Sequence, residues 1–276
     1  MHTAESPGPV VVGVDGSDVS IEAARWAIKE ALHRDVPLRL VHVVQVADRP
    51  VSSTDMSHAD EDYAESCLRA VRSAVEETGQ AVKIETSVLY GDVDSALMAE
   101  SGSASLICVG SVGIGRVASM MLGSTAAVLA DESHCPVAVI RRDRNSPPPG
   151  SGLVAVVVDD RPGNRDVVRW AMEEARARQA PVLALCVGRK ALFGRSRERF
   201  YRRMDGLLRH YPDVKVEVAT TRLSVTRYLQ ELVGAVQLVV IGSVDAGRVP
   251  QLVGPHGLPI LGHADCSVLV VRGGNG

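Results

Sequence analysis

Unbroken apolar runs alternate with stretches of helical periodicity along the whole chain. The run "PVVVGVD" begins at Pro9 and has the continuous hydrophobicity of a strand buried on both faces of a sheet. It is followed by "DVSIEAARWAIKEALHR", whose apolar residues recur at helical spacing, with Asp18 as the expected cap. Strands that alternate with helices in this way predict a parallel sheet with right-handed crossovers.

The same alternation continues to about residue 142. Strands are expected at "LRLVHVV", "AVKIETSVLY", "ASLICVG" and "PVAVIRR", and helices over residues 59–78, at "DVDSALMAES" and at "STAAVLADES". Asp92 and Asp94 are placed to cap the third helix, and Ser124 is placed to cap the fourth. The pattern predicts a doubly wound, five-stranded parallel sheet of strand order 3-2-1-4-5, with helices on both faces.

The second half of the chain repeats the first. Trp26 corresponds to Trp170, Asp15 to Asp159 and Pro37 to Pro181, and "LICVGS" corresponds to "LVVIGS". A segment rich in proline and small residues, "RDRNSPPPGSG" at 142–152, has the composition of an extended linker. We therefore expect two tandem α/β domains, over residues 1–143 and 151–276.

Composition supports two aliphatic cores and a small partner. Hydrophobic residues make up 46% of the 276 residues but aromatic residues only 3%, and the formal net charge is −3. This balance does not favour nucleic acid or an anionic membrane, and the basic segment 189–212 is interpreted as a solvated helix face, with an interaction surface as the alternative. No signal peptide or bilayer-length apolar run is found, and the five cysteines form no CxxC pair. We expect a cytoplasmic protein with reduced, buried thiols.

Ligands of doubly wound sheets bind beyond the carboxyl ends of the strands, where the winding reverses. In the expected order, that crevice lies between the first strand, which ends in "VDGS", and the fourth, which ends in "GSVGIG". Two loops that are distant in sequence are thus expected to face one site.

The stretch "GSVGIGRVASMMLGST" at 110–125 has the chemistry of a phosphate site. Glycines allow close backbone approach, and Gly123, Ser124 and Thr125 open a helix whose N–H groups and dipole attract an anion. For any one glycine alone a tight turn is the favoured interpretation, but for the whole spacing at the switch point it is not. The motifs GxxxxGK[ST] and GxGxxG do not fit, because no lysine precedes the hydroxyl residues and "GIGRVA" follows the fourth strand.

The spacing G-x2-G-x9-G-[ST], together with a first strand that ends in Asp15, resembles the ATP-binding class of the universal stress proteins. Two copies in one chain resemble the tandem type common in actinobacteria. The resemblance implies an ATP-binding protein, with Mg²⁺ on the nucleotide. It also implies the contact residues, from the first strand to the phosphate tail: Gly13, Val14, Asp15, Val43, Val109, Gly110, Gly113, Gly123, Ser124 and Thr125.

Arg116 is added because a cation in this loop could reach a terminal phosphate, although a solvated arginine fits the pattern equally well. The histidines show no metal-ligand spacing, so no metal site is expected, and mid-strand His42 is interpreted as a satisfied core residue.

The second copy departs from the motif. Gly242 is retained, but Asp245 replaces the second glycine, and Pro255 and His256 follow Gly254 in place of the two hydroxyl residues. Proline lacks an N–H, and a carboxylate would repel a polyanion. We interpret this half as a weakened or silent nucleotide site.

These observations predict a nucleotide-dependent stress regulator or sensor that holds ATP in its first domain. No general base can be placed beside the phosphates, so hydrolysis is expected to be absent or slow. The alternatives are an ATP-using adenylating or pyrophosphatase enzyme, and an ATP-independent interaction module. The apolar last strands of the two copies are expected to pair, within one chain as a pseudo-dimer or between chains in a homodimer.

Overall fold

The computed structural model divides into two compact units. It describes residues 7–45, 58–113, 122–141, 152–187, 206, 208–221, 223–232, 235–254 and 266–273. Arg116, the linker and most of the basic segment 189–212 lie outside the described residues.

The first unit is a parallel sheet of order β3-β2-β1-β4-β5, the order expected from the sequence. Its strands are β1 (Val10–Gly13), β2 (Leu38–Val44), β3 (Ile84–Tyr90), β4 (Leu106–Gly110) and β5 (Val137–Ile140). Its helices are α1 (Asp18–Arg34), α2 (His58–Glu76), α3 (Val93–Ser101) and α4 (Ser124–Glu132). Each lies within a few residues of its expected bounds, because the apolar periodicity that predicts it is also what buries it.

Two pairs of helices cover this sheet. Helix α1 packs against α2, and α3 packs against α4, and each helix also contacts strands. A doubly wound order places the two pairs on opposite faces, because the crossover direction reverses at β1. Burial of both faces explains the continuous apolar strands: Val10, Val11, Val12, Ile107 and Cys108 are fully buried.

Two of the expected helix caps are wrong by one residue. Ser17, not Asp18, is the N-cap of α1, and its hydroxyl accepts from the Ser20 N–H at 3.2 Å. Gly123, not Ser124, is the N-cap of α4. In both cases the expected residue is the first residue of the helix. Asp92 is confirmed as the cap of α3, with its carboxylate 2.9 Å from the Ser95 N–H, whereas Asp94 lies inside the first turn.

The second unit repeats the architecture, with the order β10-β9-β6-β7-β8 and all pairings parallel. Its strands are β6 (Leu153–Val158), β7 (Val182–Val187), β8 (Val216–Thr221), β9 (Val236–Gly242) and β10 (Ser267–Val271). Its described helices are α5 (Asn164–Arg178), α6 (Val225–Gln230), a 3₁₀ helix (Ser243–Arg248) and α7 (Val249–Val253).

The five cysteines are buried, and none is in a disulfide. Burial raises the pKa of the Cys186 thiol to about 12, so this thiol stays protonated at neutral pH. Strands β5 and β10 consist entirely of buried residues. Their pairing, with each other or between chains, stays a prediction.

Candidate functional site

The turn after β1 is built to present the Asp15 carboxylate. Gly16 has a positive φ of 86°, a conformation that favours glycine, and it reverses the chain toward α1. The Oδ1 atom of Asp15 accepts hydrogen bonds from the N–H of Ser17 at 3.0 Å and from its hydroxyl at 2.7 Å. The same serine caps α1, so hydrogen bonds connect the Asp15 carboxylate, which follows β1, to the start of α1.

The end of β4 and the loop after it lie against the first turn of α1 and against Asp15. A Cβ atom at Gly110 would be 3.1 Å from the Cγ1 atom of Val19 and 3.3 Å from its backbone carbon, so the glycine allows the first turn of α1 to approach the strand. A Cβ atom at Gly113 would be 2.7 Å from the Oδ2 atom of Asp15. The two loops expected to face one site therefore meet at Asp15 and Gly113.

The start of α4 is the third segment of the site, after the turn that follows β1 and the loop that follows β4. The Gly123 N–H donates to the Ser111 carbonyl at 2.8 Å, which ties the helix start to the loop after β4. The first bond within the helix runs from the Ala127 N–H to the Gly123 carbonyl at 3.0 Å. A helix cannot satisfy the N–H groups of its own first turn, and these groups with the helix dipole favour an anion.

These three segments and β2 enclose a cavity of about 160 Å³. Ten of the eleven residues expected from the sequence line it; the other, Arg116, lies outside the described residues. The full lining is Gly13, Val14, Asp15, Ser20, Val41, His42, Val43, Val93, Leu97, Val109, Gly110, Val112, Gly113, Gly123, Ser124, Thr125 and Ala126.

Several lining residues were not expected from the sequence. Val93 and Leu97 come from α3, and Leu97 also faces the space left by Gly13, where a Cβ atom would be 3.4 Å from its Cδ1 atom. The sequence signal that could have indicated Val93 and Leu97 is the apolar side of the helix after "YGD". This helix follows β3, which pairs with β2, so its start lies near the carboxyl end of β2. The aliphatic side chains of Val93 and Leu97 give the inner cavity an apolar wall.

His42 was interpreted as a satisfied core residue, and this is wrong for one ring nitrogen. The side chain is buried, but Nδ1 has no hydrogen-bond partner among the residues that the structure describes. Burial lowers the pKa of His42, although a hydrogen bond with the backbone of Val14 and the charge of Asp15 act in the opposite direction. The ring makes an edge-to-face contact with Tyr63, with centroids 5.9 Å apart. A neutral imidazole with one unpaired nitrogen thus lines the cavity.

A second cavity of about 500 Å³ adjoins the first and shares Asp15, His42, Val43, Val93, Gly113, Ser124 and Thr125 with it. Its other lining residues include the acidic side chains Asp60, Asp92 and Asp94, and Tyr63. The Tyr63 hydroxyl donates to the Asp15 carbonyl at 3.4 Å. The site therefore has an apolar interior and a polar, acidic mouth.

The corresponding position of the second unit is a cavity of about 290 Å³ beside β6 and β9. Asp245, which stands where the first copy has Gly113, is buried and forms ion pairs with Arg161 and Arg248. It was expected to act as a repulsive negative charge, but two guanidinium groups neutralise it. Pro255 and His256 lie outside the described residues.

In the part of the chain that the structure describes, no group of three or more histidine, cysteine, aspartate or glutamate residues could hold a metal ion. Among the same residues, no helix combines the length and hydropathy required to cross a bilayer.

Each unit is thus a doubly wound α/β domain with a cavity at the strand ends where the winding reverses. The family model described as the universal stress protein family matches residues 8–141 and 153–272. The chain belongs to this family, and each of its two units corresponds to one matched segment.

Curated relatives and a solved structure agree. The chain is 44% identical over 263 residues to universal stress protein Rv2624c of Mycobacterium tuberculosis, covering 95% of this chain and 96% of the relative. It is 38% identical over 277 residues to universal stress protein Rv3134c of the same organism, covering 96% of each. A universal stress protein from Archaeoglobus fulgidus has the same fold, with a TM-score of 0.70, 15% identity and 97% of each chain covered.

Proposed function

We propose that the first unit binds ATP and that the protein acts as a nucleotide-dependent regulator or sensor. One observation carries the proposal: the residues of the G-x2-G-x9-G-[ST] motif and the end of β1 line a single cavity at the switch point of the sheet. The residues fit the ligand, because Gly113 lets the loop after β4 pass close to the Asp15 carboxylate and the start of α4 offers backbone N–H groups.

In this proposal the base occupies the inner, apolar cavity. Val41, Val43, Val109 and Leu97 supply flat aliphatic contacts of the kind a purine ring requires. His42 lines the same cavity, and its buried Nδ1 atom has no hydrogen-bond partner in the described part of the chain. A buried acceptor without a partner costs about 1–3 kcal/mol, so a donor on the ligand that reached this nitrogen would be favoured.

The phosphates extend toward Gly113 and the start of α4, where backbone N–H groups and the hydroxyl groups of Ser124 and Thr125 can donate to them. The carboxylates of Asp15, Asp60 and Asp92 at the mouth oppose a polyanion, so charge neutralisation matters here. Mg²⁺ would reach the site on the phosphate oxygens, which are ligands that it prefers, and would reduce this repulsion.

We propose that this site binds rather than turns over its nucleotide. Two titratable groups line the inner cavity: His42 lies in the apolar wall assigned to the base, and one oxygen of the Asp15 carboxylate accepts two hydrogen bonds from Ser17. The protein would then report nucleotide level through the bound state. The alternative enzymatic reading requires measurable release of phosphate, pyrophosphate or AMP from ATP.

The test has two arms on the full chain. Mass spectrometry of the denatured purified protein identifies any nucleotide that copurifies, and titration calorimetry with ATP, AMP and cyclic AMP ranks the ligands. The proposal expects intact ATP and saturable binding to the first unit. Absence of binding by all three nucleotides to the folded, nucleotide-stripped protein would contradict it. Steady release of ADP on a timescale of seconds would contradict the non-enzymatic part alone.

A further inference from the structure

The second unit contains two arginines that converge on one buried carboxylate. The Oδ1 atom of Asp245 lies 3.0 Å from the Nε atom of Arg248, and its Oδ2 atom forms a hydrogen-bonded ion pair with Arg161. Arg161 comes from the loop after β6, whereas Arg248 ends the 3₁₀ helix after β9. Asp245 thus joins the two loops that face each other at the switch point.

Arg161 is held in place from its other side. Its Nε atom donates to the Oδ2 atom of Asp159 at 2.6 Å, and its backbone N–H donates to Oδ1 of the same carboxylate at 2.9 Å. The hydrogen bond with Asp159 contributes most to raising the pKa of Arg161, and the bond with Asp245 adds to it. The guanidinium group is therefore charged and oriented.

Asp245 stands at the position of the second unit that corresponds to Gly113 in the first. Asp245 follows Gly242 by the spacing at which Gly113 follows Gly110 in the first unit, and both glycines end the fourth strand of their sheet. In the first unit a glycine, which has no side chain, stands at this place. In the second unit a carboxylate fills it and is buried, with only 7% of the residue exposed.

Two guanidinium groups that converge on one point form an arrangement that binds phosphate oxygens as well as carboxylate oxygens. We propose that the second unit contains an anion site, formed by Arg161 and Arg248, that the carboxylate of Asp245 permanently occupies. Asp245 is an internal substitute for a phosphate group. The second unit therefore keeps the two loops joined without nucleotide, whereas the first unit leaves the corresponding position to a ligand.

The charges support this assignment. By formal charge, Asp159 and Asp245 balance Arg161 and Arg248 in these ion pairs, so removal of the Asp245 carboxylate leaves one net positive charge. Asp245 and Arg161 both line a cavity of about 290 Å³, whose lining also includes Gly163 and Gly242. A small phosphate anion can enter this space once the carboxylate is gone.

Inorganic pyrophosphate is the probe, and the full chain carrying Gly123→Asp is the parent, so that the first unit does not contribute phosphate binding. We expect Asp245→Ala in this parent to bind one pyrophosphate with at least tenfold higher affinity than the parent. Addition of Arg161→Gln and Arg248→Gln should return the affinity to the parental value. High salt should weaken the gained binding, because the attraction is electrostatic.

The matched control is Asp213→Ala. Asp213 is an exposed carboxylate that pairs with Arg176 through two hydrogen bonds, of 2.8 Å and 2.6 Å, outside the cavity. Its removal changes the net charge equally and also releases an arginine, yet no pyrophosphate binding is expected.

Circular dichroism and thermal unfolding establish that each variant is folded. Asp245→Asn is the second variant, because it keeps the volume of the side chain, and it should show a smaller gain in the same direction. The inference is overturned if folded Asp245 variants bind pyrophosphate no more tightly than the parent. It is also overturned if the increased affinity survives removal of both arginines or appears equally in Asp213→Ala. All comparisons share one parent, so the outcome does not depend on whether the first unit binds ATP.

Discussion

A Cβ atom at Gly113 would lie 2.7 Å from the Oδ2 atom of Asp15, which is too close for the carboxylate to keep its place. The other oxygen of Asp15 is held by the N–H and hydroxyl of Ser17, so the side chain cannot move away without breaking these bonds. The loop after β4 and the turn after β1 are thus adjusted to each other at one pair of residues.

Gly113→Ala should therefore weaken ATP binding by about tenfold or more, which is about 1.4 kcal/mol, while lowering the melting temperature little. The displaced atom is the tip of a side chain and not backbone, so the cost falls on the site. Titration calorimetry and thermal unfolding measure the two effects. Gly247→Ala is the control, because a Cβ atom there meets no atom of the described residues within 4 Å. Equal affinities in the two variants would refute the prediction.

Gly123→Asp should abolish nucleotide binding and leave the first unit at least as stable. Gly123 is the N-cap of α4, with φ −69° and ψ 151°, and a Cβ atom there would be 3.5 Å from the Ser111 carbonyl oxygen, an ordinary contact. Aspartate is a favoured N-cap, worth a few tenths of a kcal/mol over glycine, and its carboxylate would compete for the N–H groups assigned to phosphate.

Gly123→Ser separates the two effects of that substitution, because serine caps the helix without a charge. We expect it to retain measurable ATP binding, with a melting temperature similar to that of Gly123→Asp. If Gly123→Asp binds ATP as well as the unaltered protein, the phosphate assignment is wrong.

Removal of Mg²⁺ with EDTA should weaken ATP binding much more than AMP binding. ATP brings more negative charge to the mouth that carries Asp60, Asp92 and Asp94, and the ion reduces that repulsion. Calorimetry at constant ionic strength, with and without EDTA, measures the ratio. A similar loss for both nucleotides would argue against this role of the ion.

Stability should fall as the pH drops below about 6.5, and His42 should contribute to the fall. Burial lowers the pKa of His42 in the folded state, so between that pKa and the unfolded value the unfolded chain binds more protons. The free energy of unfolding therefore rises with pH through this window. Below the pKa of His42 in the folded state, the loss of stability caused by its burial reaches its full value. Urea unfolding of His42→Gln from pH 5 to 8 should show a flatter profile, whereas exposed His33→Gln should follow the unaltered protein.

One nucleotide should bind per chain, in the first unit. Loss of one hydrogen bond to a charged group costs roughly 1.5–3 kcal/mol. Because the Asp245 carboxylate already occupies the matching place in the second unit, the affinity of this unit for ATP should be at least about a hundredfold weaker than that of the first. Calorimetry with ATP on the full chain gives the number directly, and a stoichiometry near two would contradict it.

The chain sequence alone determined the repeat, the alternation of strands and helices, and the strand order of both sheets. These features depend on which residues must be buried, and burial is recorded in the spacing of apolar residues, as in "PVVVGVD" and the helix that follows it. The ends of strands next to the switch point were also predictable, which is why Gly13, Asp15 and Gly110 could be assigned to one site.

Only the tertiary structure decided which atoms meet. Sequence spacing does not show that Gly110 makes room for Val19 or that Arg161 and Arg248 neutralise Asp245. Nor does it show that the Nδ1 atom of His42 is buried with no partner among the described residues. Each of these depends on contacts between elements that are far apart in the chain or on a side-chain direction that several elements set together. Hydrophobic patterning specifies which face of an element is buried, but the pairing of polar groups is specified by geometry that exists only in the folded domain.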